Sequence, residues 1–468
     1  MPNTIIWFRN DLRLADNPAL HQSIDEGLSP ICVYIHAPGE EGAWRPGAAS
    51  DAWRHRSLAA LDADLRRRGS RLRCFRGPTL QTLQTLVAAC DAECVFWNRR
   101  YEPAIEQRDS RIKAALREQG TRAESFNSAL LFEPWQLSTL QSGPYRVFTP
   151  FWRRALQQWV VRPSGDAPGV IEDATQGPRG IALEALELSP RPSWDAGFWS
   201  EWKPGEQGAL EALEVFIDGA LRGYATGRDR PDRVGTSRLS PYLHFGEIAP
   251  WRVANALEAR RNAANATDID AHVRELGWRE FSYHLLHHFP GTTDQNLNPR
   301  FADFDWTSSS EKMLKAWQAG RTGVPIVDAG MRELWHTGWM HNRVRMIVAS
   351  YLCKHMRMHW LEGARWFWDT LVDADLASNT QGWQWVAGTG ADASPYFRIF
   401  NPVTQSRKFD PHGAYIAKWV PELAGLPLHA RFAPWEHPRI MAHDYPDTPA
   451  VDLAHGCDAA LAAYNALR

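Results

Sequence analysis

No CxxC pair occurs among the six cysteines, so the chain offers neither a disulfide framework nor a zinc site. No GxGxxG follows the first apolar run, where WFRND stands instead, which argues against an NAD-type loop. No GxSxG elbow supports a hydrolase. The run HLLHH at 284–288 has no accompanying carboxylate or cysteine motif, so no metal is expected. A dominant charge is missing too: 52 basic residues against 54 acidic ones leave a net charge of −2. Nothing global therefore steers the chain onto a polyanion, and a nucleic-acid surface must be a local patch. The opening MPNTIIWFRNDLR is charged by residue 9 and holds no long apolar run. The expectation is a cytoplasmic protein with no membrane partner.

Tryptophan is abundant, with 23 copies in 468 residues, crowded between 335 and 385. The apolar fraction of 44% and charged fraction of 23% are those of an ordinary soluble enzyme with large cores. One basic patch runs from Arg343 through Arg345 and Lys354 to Arg357 with no acid inside it.

Short apolar runs at 5–8, 31–35, 72–75, 94–97 and 123–126 alternate with helical patterns at 19–24, 50–65, 80–89 and 105–119. This alternation predicts a doubly wound parallel sheet, a Rossmann-like α/β domain over residues 1–130. Ser50 or Asp51 is the expected cap of the second helix. A proline-interrupted connector follows over 131–204, anchored by aromatic residues and holding one aromatic helix at 151–160. Beyond it the periodicity is helical over 205–468, with segments at 208–221, 269–287, 327–337, 343–354 and 364–376, which predicts a larger all-α domain. Ligands of such a sheet bind at the carboxyl ends of its strands, where Arg9, Trp53 and Arg99 are candidates.

Four segments of the helical part have chemical content. GTSRLSPYLHFG at 235–246 sets the hydroxyls of Thr236, Ser237 and Ser240 beside Arg238; it reads equally as a phosphate cradle or as a capped turn before a proline-started helix. ELGWREF at 275–281 puts Glu275, Trp278 and Arg279 within one turn, a carboxylate and a ring suited to an unstacked base or to plain packing. WMHNRVRM contributes Asn342, Arg343, Arg345 and Met346. DADLASNTQGWQW, from 373, sets Asn379 and Trp383 four apart, on one helix face, with Gly382 as the expected helix end. That face describes either core or the wall of a cavity for a planar ligand.

These segments together resemble the photolyase/cryptochrome family. The likeness runs from WFRNDLRLADNPAL at 7–20 through TGVPIVDAGMRELWHTGWMHNRVRM at 322–346 to the 373–402 segment and KFDPHGAYIAKWVPEL at 408–423, covering essentially the whole chain. It is most like bacterial cyclobutane pyrimidine dimer photolyases. The resemblance implies light-driven repair of UV-damaged DNA by electron transfer from excited reduced FAD to a flipped-out dimer, by a monomer. It implies FAD contacts at Tyr224, Thr236, Ser237, Leu239, Ser240, Arg279, Arg345, Asp373, Asp375 and Asn379, with Asp373 paired to Arg345 and the Asn379 amide facing flavin N5. It places Glu275, Trp278, Asn342, Met346 and Trp385 around the dimer, and Arg228, Arg343 and Arg398 on flanking phosphates. Trp383, Trp360 and Trp306 match the family's electron relay. The segment 47–58 looks like one that binds 5,10-methenyltetrahydrofolate, with Trp53 as the stacking ring; a deazaflavin, a flavin or an empty pocket is the alternative. Asn379 where plant cryptochromes generally carry Asp, and a short stretch after the helical part, turn the expectation toward repair. Met346 stands where (6-4) photolyases carry a proton-shuttling histidine, which lowers that reading, although His341 is nearby. A cryptochrome-type photoreceptor remains the competing class.

Overall fold

The computed structural model describes residues 1–173, 177–307, 310–393, 397–440 and 444–467; Tyr396, within the 373–402 segment, lies outside them. The five apolar runs are strands β1 (Asn3–Phe8), β2 (Ser29–His36), β3 (Arg73–Arg76), β4 (Ala92–Asn98) and β5 (Arg122–Phe126). Every neighbouring pair is parallel, in the order β3-β2-β1-β4-β5. Parallel pairing needs long crossovers, supplied by helices α1 (Pro18–Asp25), α2 (Ala48–Arg66), α3 (Thr79–Cys90) and α4 (Pro103–Glu118). Helices cover both faces of such a sheet, so its strands read as continuous apolar runs; Ile5, Trp7, Ile31, Val33, Val95 and Trp97 share one core. Asn17 caps α1 by accepting from Leu20 N. Helix α2 starts two residues before Ser50, at Ala48 behind Gly47, and Asp51 pairs with Arg54 at 2.6 Å instead of capping.

Contacts divide the chain into two compact bodies. The first comprises Met1–Tyr145, Thr149–Gly219 and Ser237–Pro290; the second comprises Arg146–Phe148, Ala220–Thr236 and Gly291–Arg468. These limits cut across the expected breaks near residues 130 and 204. Nearly all of 131–204 belongs to the first body, as does the long helix Ala266–His288. Aromatic packing is the reason. Phe151, on the helix Phe148–Gln158, lies 5.1 Å from the Phe281 ring, and Trp152 fills the space beside Gly277, where a Cβ would collide with its indole.

The second body is helical, and its breaks depart from the periodicity in two places. The expected 364–376 helix is two: Trp360–Thr370 ends before Leu371, and Leu376–Ala387 starts after Asp375. The 343–354 segment is the helix Asn342–Ser350 continued as a π-helical turn at Tyr351–His355. In the first body the 208–221 segment begins as the helix Glu206–Val215.

Trp53 is corrected from ligand-stacking ring to core. It is fully buried, its Nε1 lies 3.2 Å from each Glu247 carboxylate oxygen, and its ring is flanked by Trp202, Tyr242 and Phe245. Glu247 also accepts from Gly205 N at 2.6 Å. Burial pushes the Glu247 carboxyl up to about 8.

Folded Glu247 therefore keeps its proton up to about pH 8, whereas the unfolded chain releases it in the ordinary carboxylate range. Between those limits the native state binds more protons, so this group makes stability fall as pH rises. Glu247→Gln should flatten the pH dependence of the urea-unfolding free energy across that window. A profile parallel to the unsubstituted protein would contradict the assignment.

Candidate functional site

In the second body the site starts from one acidic turn. Asp375 caps the helix Leu376–Ala387 by accepting from Ser378 N at 2.7 Å. Two residues earlier, the Asp373 side chain, 3% exposed, takes Arg345 Nη2 on both oxygens at 3.0 and 2.8 Å. Arg345 Nε donates to Met340 O at 2.7 Å, so the guanidinium is fixed at both ends. The helix runs through Gly382 and ends at Gly388, whose φ of 88° is the left-handed cap conformation. A Cβ at Gly382 would meet nothing within 4 Å. This exposed glycine therefore marks neither a turn nor a close approach.

Asn379 and Trp383 do share a face. The Asn379 amide nitrogen donates to Ala364 O at 3.0 Å, which leaves its carbonyl oxygen to accept. Trp383 is buried and its ring lies where a Cβ on Gly363 would be. Trp383 Nε1 is buried without a hydrogen-bond partner. An ion pair, a capped carboxylate and an amide acceptor fit the polar edge of a flavin.

The three tryptophans expected to act as a relay lie along a traceable series of contacts. Half-buried Trp306 is 5.0 Å from the His359 ring, and His359 stacks 5.6 Å from fully buried Trp360, whose Nε1 donates to Asn296 Oδ1 at 2.8 Å. Trp360 opens the helix on which Gly363, one turn along, receives Trp383. His359 and Gly363 went unnoticed in the sequence; the three-residue spacing from Trp360 to Gly363 was the available signal. Trp317, read as core, packs edge-on to Trp383 at 6.2 Å.

Other expected residues gather in the same body. Exposed Arg398 lies 5.6 Å from the Trp385 ring, and the two line a cleft with Val386, Gly388, Ala393 and Phe400. Arg228 sits 5.7 Å from the Tyr224 ring. Asn342 is exposed, opening its helix behind His341, whose Nδ1 accepts from Arg343 N at 3.2 Å. Burial pushes the His341 imidazole down to about 4, so it is neutral with its proton on Nε2. Thr236 is half-buried at the end of this body's 220–236 segment.

In the first body, Glu275 and Trp278 are half-buried on the helix Ala266–His288, and Trp278 lies edge-on to Phe281 at 6.1 Å. Arg279 donates to Ala129 O at 2.7 Å and faces the Tyr283 ring at 5.0 Å. Ser237 Oγ accepts from Leu239 N at 3.5 Å, Leu239 is buried, and exposed Ser240 starts the proline-led helix Ser240–His244. Arg238 is turned to Glu201 at 2.9 Å and Trp202 at 4.2 Å. Arg9 is consumed: buried, paired with Asp109 and donating to Asn98 O, it cannot meet a chromophore. Arg99 pairs with Glu133 and donates to Ser125 O. Among the described residues no group of histidines, cysteines and acids is placed to hold a metal, and no helix is long and apolar enough to cross a membrane.

Two family models match the chain: DNA photolyase over residues 4–168, and the FAD binding domain of DNA photolyase over residues 272–466. The chain is 46% identical over 473 residues to a deoxyribodipyrimidine photo-lyase of Agrobacterium fabrum, covering 99% of this chain and 98% of that one. It is 38% identical to cryptochrome-2 of Arabidopsis thaliana, covering 93% of this chain and 73% of the relative. A bacterial class III photolyase from Agrobacterium tumefaciens superposes with a TM-score of 0.95 at 46% identity, over 100% of this chain and 98% of that one.

A methyl group on Gly363 would overlap the Trp383 indole. Gly363→Ala should cost about 1–3 kcal/mol in urea unfolding and alter tryptophan fluorescence. A neutral substitution would mean that Trp383 does not pack there.

Proposed function

The chain belongs to the DNA photolyase family, and on that premise we propose that it splits cyclobutane pyrimidine dimers in UV-damaged DNA with light, using FAD. The observation that carries this reading is one helix, Leu376–Ala387, presenting an acceptor amide at Asn379 and, one turn on, Trp383 beside the helix that begins with Trp360. Both suit a redox flavin: an amide can bond its N5 in either protonation state, and a nearby ring can deliver an electron. When bound and reduced, FAD supplies the photoexcited electron that opens the cyclobutane ring and is returned afterwards.

The protein's own groups bind and orient. In the second body Asp373, Arg345, Asp375 and Asn379 hold the flavin ring and ribityl chain, with Tyr224 and Thr236 at its phosphates. Asn342, Met346 and Trp385 line the dimer pocket, and Arg228, Arg343 and Arg398 take flanking phosphates. In the first body Ser237, Leu239, Ser240 and Arg279 have the cofactor role that the resemblance assigns them. Trp278 stacks on the pyrimidines, and Glu275, when it carries its proton, donates to the C4 carbonyl oxygen and so stabilises the negative charge developing there. Photolyases are themselves a standing example of base flipping, so extrusion of the dimer follows from family membership. Trp306, Trp360 and Trp383 return oxidised flavin to its working state.

Cyclobutane dimers are favoured over the (6-4) lesion by Met346, whose thioether has no ionisable proton to shuttle. A folate antenna in the first body rests on the likeness of segment 47–58 alone, with a stacking partner other than Trp53. A monomer in the cytoplasm completes the reading.

Anaerobic, chemically reduced protein illuminated with a dimer-containing oligonucleotide should restore intact thymines. Bound flavin that photoreduces without loss of dimers would move the assignment to a cryptochrome-type sensor. Glu275→Ala should lower the rate of ring opening by roughly tenfold, and the repair yield with it, at unchanged flavin content; undiminished repair removes Glu275 from the reaction.

Trp383→Phe should abolish photoreduction of the oxidised flavin while dithionite still reduces it fully. Intact photoreduction would mean that electrons enter by another route.

A further inference from the structure

Arg343 and Asp229 lie on separate segments of the second body, yet Arg343 Nη2 donates to Asp229 Oδ1 at 2.7 Å. Two other groups hold the guanidinium in place. Its centre lies 4.5 Å from the Phe409 ring centroid, and Nη1 faces Met346 Sδ at 3.5 Å. Stacking on Phe409 does not depend on the carboxylate, so Arg343 keeps its position with or without it.

Asp229 is placed by its own backbone. Arg228 N bonds Tyr224 O and Arg230 N bonds Gly227 O, each at 3.0 Å. Gly235 closes the loop by lying against Gly227, where a Cβ would collide with the Gly227 carbonyl. The nearby acid Asp232 is taken by Arg230 at 2.5 Å. The fold, more than the ion pair, sets the Asp229 carboxylate against Arg343.

With side chains 21% and 36% exposed, the pair contributes little to stability. Its larger effect is on the field at Arg343, because a fixed negative charge stands where a backbone phosphate would bind. We propose that Asp229 is an internal competitor for the DNA backbone: it occupies Arg343 in the DNA-free protein, and an incoming phosphate must displace it or share the guanidinium. This rests on the reading of Arg343 as a phosphate contact. Binding to undamaged duplex is almost entirely such backbone electrostatics, with no pocket contacts to offset the competitor. Asp229 therefore keeps residence on undamaged DNA short, while the extruded dimer still holds the enzyme.

The test is binding of Asp229→Asn and Asp229→Ala holoprotein to dimer-containing and undamaged duplexes across a salt series, with flavin content as the folding control. Both variants should bind both duplexes roughly twofold to tenfold more tightly, with a salt slope steeper by about 0.9. Adding Arg343→Ala should erase the gain. Weaker binding by the Asp229 variants would make Asp229 a support for Arg343 and overturn the proposal. Unchanged binding overturns it as well, provided that Arg343→Ala alone weakens binding. If Arg343→Ala alone has no effect, the phosphate role of Arg343 fails and the competitor role with it.

Discussion

The ion pair between Arg345 and Asp373 holds the chemistry of the second body in place. Asp373 is almost withdrawn from solvent, and removing either partner would leave a charge without compensation. The pair ties the turn from Leu371 to Asp375 to the helix Asn342–Ser350. Asp375 then caps the next helix, and that helix carries Asn379 and Trp383. Arg345 is itself tied back to Met340 O, so the helix that begins behind His341 and the one that begins behind Asp375 are joined at their starts. A cofactor ring presented to this pair would find its polar partners already in place, which is what electron transfer without large reorganisation asks of a protein.

Much of this was legible in the sequence, for particular reasons. The sheet was readable because parallel strands buried on both faces must be apolar without alternation, as Ile5–Phe8 and Val95–Trp97 are. The shared face of Asn379 and Trp383 followed from helical spacing, and the Arg345–Asp373 pair from the family resemblance. Where the reading went wrong, tertiary packing had overridden a local rule. Gly382 looked like a helix end, but the left-handed residue is Gly388, and a solvent-facing glycine inside a helix costs only about 1 kcal/mol. Trp53 looked like a stacking ring because nothing in its own segment shows that Glu247, 194 residues on, meets its indole nitrogen. Arg9 looked available for a ligand because its counter-ion, Asp109, is distant in the chain. The expected boundaries at 130 and 204 followed composition, whereas the bodies follow aromatic contacts such as Phe151 with Phe281.

The ring series and the arginine cluster show one economy of design. Of the tryptophans crowded between 335 and 385, Trp360 and Trp383 are buried and Trp335 is exposed, and the order Trp306, His359, Trp360 makes a path from a half-buried ring to a fully buried one. In a chain of nearly neutral net charge the positive field is local, set by which acids the basic residues keep as partners. Arg343 with Asp229 and Arg345 with Asp373 differ in the carboxylate, 36% exposed in the first pair and 3% in the second.

Whether the Arg345–Asp373 pair seats a flavin is decided by FAD uptake in purified Arg345→Ala protein, followed by the visible flavin band against the unsubstituted protein. The unsubstituted protein should bind one flavin per chain, and the variant should lose most of it or hold it with a shifted spectrum. A variant with the full complement of flavin and an unshifted band would contradict this account, because the pair would then have no part in seating the ring.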